Sequence, residues 1–289
     1  MATYPALDVK EGDVDRILAV VDDYSPTAVE DHNGSLTLYF SSRAQRDEAG
    51  RAIAREMPST LSSPREIDDE DWARRSQRGL TSVTVGRLTI APPWLSPSSA
   101  TGTAIIAITP SMGFGTGHHA TTRLCLKALQ TLELTDLSVL DVGTGSGVLA
   151  LAARKLGASE ATGVDSDLDA VNSARENLAV NHWASKVWFE KGDFLTEPLR
   201  PANVVTANLT GTLLVRGAAR LVDLVLPGGI LVVSGLLEDE RPSVLQAFLG
   251  PSSLEAFGTT SRPPTELRWS GDEDGWIGLA FNVSQDRPV

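Results

Sequence analysis

Gly143-Thr144-Gly145-Ser146-Gly147 follows the apolar run Val139-Leu140-Asp141-Val142 and precedes a helical stretch. Glycines lack a Cβ, so such a loop turns sharply and lets a ligand approach the backbone. The spacing is Gly-x-Gly-x-Gly, whereas the dinucleotide fingerprint, Gly-x-Gly-x-x-Gly, seats a pyrophosphate on a helix terminus. An acidic residue precedes the loop and no basic residue lies within it. The ligand expected is a nucleoside with a zwitterionic or cationic tail, not a diphosphate. Three glycines alone could be only a turn; their place between strand and helix favours a cradle. A second apolar run ends at Gly163-Val164-Asp165. A carboxylate at that strand tip is placed to accept hydrogen bonds from both ribose hydroxyls. Asp165, or Asp167 and Asp169 after it, could instead cap the next helix. Capping is assigned to Asp167 and the ribose to Asp165. After a third run, Gly192-Asp193-Phe194 offers either a carboxylate for an adenine amine or a plain turn.

Together these three positions resemble class I S-adenosylmethionine-dependent methyltransferases. Upstream, Gly113-Phe114-Gly115-Thr116-Gly117-His118-His119-Ala120-Thr121-Thr122-Arg123-Leu124-Cys125-Leu126 is similar to the signature of PrmA-type ribosomal-protein methyltransferases. Asn208-Leu209-Thr210-Gly211-Thr212-Leu213-Leu214 resembles that family's active-site loop, and Asp71-Trp72 also fits. The resemblance implies methylation of amino groups, lysine side chains and the N-terminal α-amine, on large-subunit ribosomal protein eleven. It implies that Thr122, Gly143, Asp165 and Asn208 contact S-adenosylmethionine, with Phe114 and Thr116 in a loop closing over it. Gly145 and Asp193 complete the expected cofactor set, and Asn208 is the expected catalytic residue. Its side-chain carbonyl is suited to accept a hydrogen bond and aim an amine lone pair. No metal is expected: adjacent His118 and His119 point differently and no acidic or Cys partner is suitably spaced. Cys125 is expected to be a buried core thiol rather than a nucleophile.

Short, β-branched, mostly unalternating runs position these residues: Val139–Val142, Ala161–Val164, Val187–Phe189, Val204–Ala207 and Ile230–Val233. Such runs mark strands covered on both faces. Helical stretches at Val148–Leu156, Leu168–Val180 and Leu213–Leu226 separate them. The expectation is a doubly wound, mostly parallel sheet with an antiparallel strand near the C-terminus and its ligand at the carboxyl ends of the strands. Residues 1–66 read as β-α-β-β-α-β, a small ferredoxin-like α+β domain. Its helices fall at Val14–Val21 and Arg43–Met57, with a hairpin turn at His32-Asn33-Gly34. The expected division is a recognition domain over 1–66, a connector over 67–110 and the methyltransferase domain over 111–289.

The 289 residues carry a net charge of −12, and the chain is acidic both before and after residue 100. That balance supplies no cationic surface for nucleic acid and disfavours RNA as the substrate. One cysteine forms no internal disulfide. No apolar run approaches the ~18 residues of a membrane helix, and the N-terminus shows no signal-peptide pattern. A cytoplasmic enzyme without membrane partners is expected. The other functions considered are a methyltransferase of the same build acting on another protein or a small amine, and a non-catalytic binding module.

Overall fold

The computed structural model describes residues 3–10, 12–22, 24–31, 35–68, 81–95, 103–109, 118–249 and 265–285. The turn at 32–34, Asp71-Trp72, and the segment 110–117 with Phe114 and Thr116 lie outside the described residues.

Alternation and helical spacing account for the first unit. It carries β1 (Thr3–Lys10), α1 (Val14–Asp22), β2 (Ala28–Asp31), β3 (Ser35–Tyr39), α2 (Arg43–Glu56) and β4 (Leu61–Asp68). The strands form an antiparallel sheet in the order β2-β3-β1-β4. Leu7 and Val9 of β1 face Ile17 and Val21 of α1 and Ile53 of α2. Asp8, between them, turns to the other face, where it accepts from Thr37 Oγ1 at 2.8 Å and pairs with Arg65 at 3.2 Å. This is the ferredoxin-like β-α-β-β-α-β arrangement.

Residues 81–109 belong to the same compact unit as the C-terminal part of the chain. They carry β5 (Val83–Val85), β6 (Leu88–Ala91) and β7 (Ala104–Ala107), a three-stranded sheet in that order. Next come α3 (Ala120–Leu129), β8 (Ser138–Val142), α4 (Val148–Lys155), β9 (Glu160–Asp165), α5 (Leu168–Val180), β10 (Val187–Lys191) and β11 (Ala202–Asn208). α6 (Gly211–Asp223), β12 (Val225–Leu237), α7 (Arg241–Leu249), β13 (Thr265–Glu273) and β14 (Trp276–Val283) complete the unit. The large sheet runs β10-β9-β8-β11-β12-β14-β13. Strands β8 to β12 are parallel, and β14 and β13 join antiparallel.

Alternate side chains of each strand feed opposite cores. Val139, Ala161, Val204 and Val232 pack under α3, α4 and α5, while Leu140, Val142, Val205 and Leu231 pack under α6 and α7. Cys125 is buried in the first of these cores, as expected. One expected boundary shifts. The helix expected to reach Leu226 ends at Asp223, with Leu224 as its C-cap, because β12 begins at Val225. β12 runs through Pro227-Gly228-Gly229, and its register with β11 jumps between Ala202 and Val204. The antiparallel strand expected near the C-terminus is β14, and β13 pairs with it as a second one. Strand order reverses between β8 and β11, and in open α/β sheets ligands bind outside the carboxyl ends of the strands at such a switch point.

Candidate active site

The glycine loop leaves β8 at that reversal point. Gly143 and Gly145 adopt φ values of +69° and +52°, which residues with a Cβ rarely tolerate. A Cβ at Gly143 would also come 2.5 Å from Leu209 Cδ2, so the loop and the Leu209 corner touch. Asp141, buried beneath, accepts from Thr144 Oγ1 and from Thr206 Oγ1, both at 2.6 Å. Thr206 stands directly across from Asp141 in the β11–β8 register. One carboxylate therefore ties the loop to the strand that ends in Asn208. Burial pushes Asp141 up to about 6, against the opposing pull of its two hydroxyl bonds; nearby Asp165 adds to the rise.

Asp165 ends β9 and faces the same loop. Its carboxylate accepts from Gly145 N–H and from Asp167 N–H, each at 3.0 Å. Burial raises its pKa, and these backbone donors oppose the rise. Each oxygen keeps a lone pair for a ligand hydroxyl. Asp167 is the N-cap of α5 and accepts from Asp169 N–H at 2.9 Å. Asp167 thus takes the cap expected of it, while Asp165 ends its strand with its carboxylate held by two backbone N–H groups. Asp193 is more committed: Leu195 N–H and Thr196 Oγ1 donate to its two oxygens at 2.9 and 3.0 Å within its own turn.

On the other side of the loop, β11 ends at Asn208, and Thr210 caps α6 by accepting from Leu213 N–H. Leu209 N–H donates to the Ser234 carbonyl at 3.0 Å. Gly235, at φ +93°, lies so close that a Cβ there would collide with the Leu209 carbonyl. Asn208 Nδ2 lies 3.5 Å from Thr122 Oγ1, at the long limit of a hydrogen bond, which leaves Oδ1 open. Thr122 is held by the start of α3. There His119 is the N-cap, stacks edge-on against Trp276 at 4.8 Å, and is lowered to about 4 by burial. Arg123, one residue on, bonds the His118 carbonyl and Glu273.

The described structure therefore brings Thr122, Gly143, Gly145, Asp165 and Asn208 around the carboxyl ends of β8, β9 and β11. Asp193 sits just past β10, next to Gly192, whose N–H donates to the Asp165 carbonyl at 2.9 Å. Sequence reasoning missed the organising roles of Asp141, Thr144, Thr206 and Leu209. The available signal was polarity: Asp141 and Thr206 each interrupt an apolar strand.

A profile of the family described as "Ribosomal protein L11 methyltransferase (PrmA)" matches residues 11–259. The ribosomal protein L11 methyltransferase of Deinococcus radiodurans is 36% identical over 228 residues, covering 76% of this chain and 80% of its own length. That of Geobacter metallireducens is 44% identical over 197 residues, 66% of this chain. The matched stretch spans 62% of the length of that relative and of the Geotalea uraniireducens one, which is 40% identical and covers 64% of this chain. A crystal structure of the ribosomal protein L11 methylase from Lactobacillus delbrueckii subsp. bulgaricus superposes with a TM-score of 0.60 at 26% identity, covering 71% of this chain and 98% of the other. No helix among the described residues is long and apolar enough to cross a membrane. The profile match over most of the chain and the Deinococcus relative place the chain in the ribosomal protein L11 methyltransferase (PrmA) family.

Proposed function

We propose that this chain methylates amino groups of ribosomal protein L11, lysine side chains and the N-terminal α-amine, using S-adenosylmethionine. The observation that carries the reading is the meeting of the Gly143–Gly147 loop, Asp165 and the Asn208 corner at the carboxyl ends of β8, β9 and β11. It fits a sulfonium nucleoside: the positive-φ glycines open the backbone, Asp165 offers a carboxylate for ribose hydroxyls, and the Gly143–Gly147 loop carries no basic residue for a diphosphate. Gly143, Gly145 and Thr122 are assigned to the same cofactor site, Asp193 lies beyond β10, and Phe114 and Thr116, which precede His118 in the sequence, are assigned to it by resemblance.

S-adenosylmethionine, when bound, supplies a methyl group already activated on sulfur. The protein's task is then alignment, and orientation alone is worth effective molarities of ~10⁵ M or more. An acceptor lysine with a pKa of ~10.4 must first lose its proton. Leu209 and the glycine backbone exclude water around the acceptor, which favours the neutral amine. Asn208 Oδ1 accepts a hydrogen bond from that amine and turns its lone pair toward the methyl. The asparagine has no titratable group and cannot take up the proton, which leaves to water before the amine is enclosed. The ferredoxin-like unit is assigned to recognition of the protein substrate, and a ribosomal substrate makes the enzyme cytoplasmic.

Calorimetric titration with S-adenosylhomocysteine tests the cradle. The wild type should bind, and Asp165→Ala should bind about tenfold to a hundredfold more weakly, the range for losing hydrogen bonds to a charged acceptor. Equal affinity in the two proteins would refute the ribose assignment.

A further inference from the structure

Asn177 lies in α5 and Asn181 directly follows that helix, with 0% and 2% of each residue exposed. A buried carboxamide needs partners for its donors and its acceptor. Asn181 accepts from Ala107 N–H at 2.9 Å and donates to the Ala107 carbonyl at 2.6 Å. Asn177 accepts from Thr109 N–H at 2.8 Å and donates to the Ser146 carbonyl at 2.9 Å. β7 pairs with β6 on one side only. Residues 107 and 109 present backbone groups on the same edge, about 6.6 Å apart along a strand. Helical residues four apart climb about 6 Å. The two spacings match closely enough for a pair of side chains to stand in for a neighbouring strand.

The second bond of Asn177 reaches further. The Ser146–Gly147 peptide is held at both ends: its carbonyl by Asn177 and its N–H by the Thr144 carbonyl at 2.8 Å. We propose that Asn177 is a positioning residue for cofactor binding, fixing that peptide of the glycine loop against the end of β7. The inference rests on the loop being the S-adenosylmethionine cradle. Asn181 braces the same strand edge, also donates to the Asn177 backbone carbonyl at 2.7 Å, and bonds no atom of the loop, so it separates bracing from positioning.

Full-length wild type, Asn177→Ala and Asn181→Ala are titrated with S-adenosylhomocysteine, and their melting temperatures are recorded. Both variants should melt lower than the wild type. Only Asn177→Ala should bind the nucleoside more weakly, by about fivefold or more, the scale of an ordinary coupling between sites. Asn181→Ala should stay within about twofold of wild type, because its bonds never reach the loop. A merely structural role would shift both affinities alike or neither, and either pattern overturns the proposal. Should Asn177→Ala fail to fold, amide exchange in the wild type gives the answer. Added S-adenosylhomocysteine should slow exchange of the Thr109 N–H, held by Asn177, more than that of the Ala107 N–H, held by Asn181. Equal or absent slowing counts against the proposal. Absence of any wild-type binding would instead sink the cradle reading and this inference with it.

Discussion

Asp141 and Asp165 sit on neighbouring strand ends, yet their surroundings give them different work. Asp141 is walled in, and its two oxygens hold hydroxyls of Thr144 and Thr206. Asp165 is half-buried, takes backbone donors and faces the glycine loop. Burial makes the charged form of Asp141 costly in the folded state, which raises it from 3.8 to about 6. A group raised on folding contributes stability that is fully present below its unfolded pKa and is lost as pH rises through the folded one. For Asp141 the window runs from about pH 4 to about pH 6. Asparagine keeps the shape, and the threonine hydroxyls rotate to suit it. Urea unfolding of wild type and Asp141→Asn at pH 5 and pH 7.5 should show asparagine gaining about 1 kcal/mol relative to aspartate at the higher pH. His119 titrates in the opposite sense but is common to both proteins and cancels in the difference. A pH-independent difference would mean that Asp141 is not held in the strained ionised state described.

At the scale of elements, the site is a meeting of three strand ends and a corner. β12 matters because Gly235 leaves room for Leu209, whose side chain covers Gly143. Gly235→Ala would combine a φ of +93° with a collision against the Leu209 backbone, and the Asn208 corner must shift. The expected cost is about 1–3 kcal/mol of stability, together with a fall in turnover of about a hundredfold. Thermal unfolding and methyl transfer at saturating cofactor measure both; unchanged turnover would mean that the corner is not set by β12. The glycine loop and the Asp167 cap were legible because strand, turn and helix signals surround them within a few residues. The doubly wound sheet was legible because its strands read as continuous apolar runs. β13 was not: its exposed edge residues, such as Glu266 and Arg268, look like solvated loop. Asn177 was equally hidden, since its partner Thr109 lies 68 residues away and a helical asparagine ordinarily faces water.

For the whole molecule, recognition of the protein substrate is, on the proposed reading, assigned to the βαββαβ unit, and the net charge of −12 favours encounter with a cationic partner over an anionic one. Deleting residues 1–66 should preserve S-adenosylhomocysteine binding within about threefold, because the cleft residues and their supporting cores all lie beyond residue 80. The same deletion should abolish modification of ribosomal protein L11, measured by label incorporation. Equal modification by the shortened chain would remove recognition from that unit. The central claim is that the Asn208 corner delivers a protein amine to a methyl donor held on the glycine loop. Its most direct test is mass spectrometry of ribosomal protein L11 after incubation with methyl-labelled S-adenosylmethionine and either wild type or Asn208→Ala. The account predicts label on amino groups with the wild type and a rate lower by about a hundredfold or more with the variant, as expected when the acceptor is misplaced. No label with the wild type, or equal labelling by a folded Asn208→Ala, would contradict it.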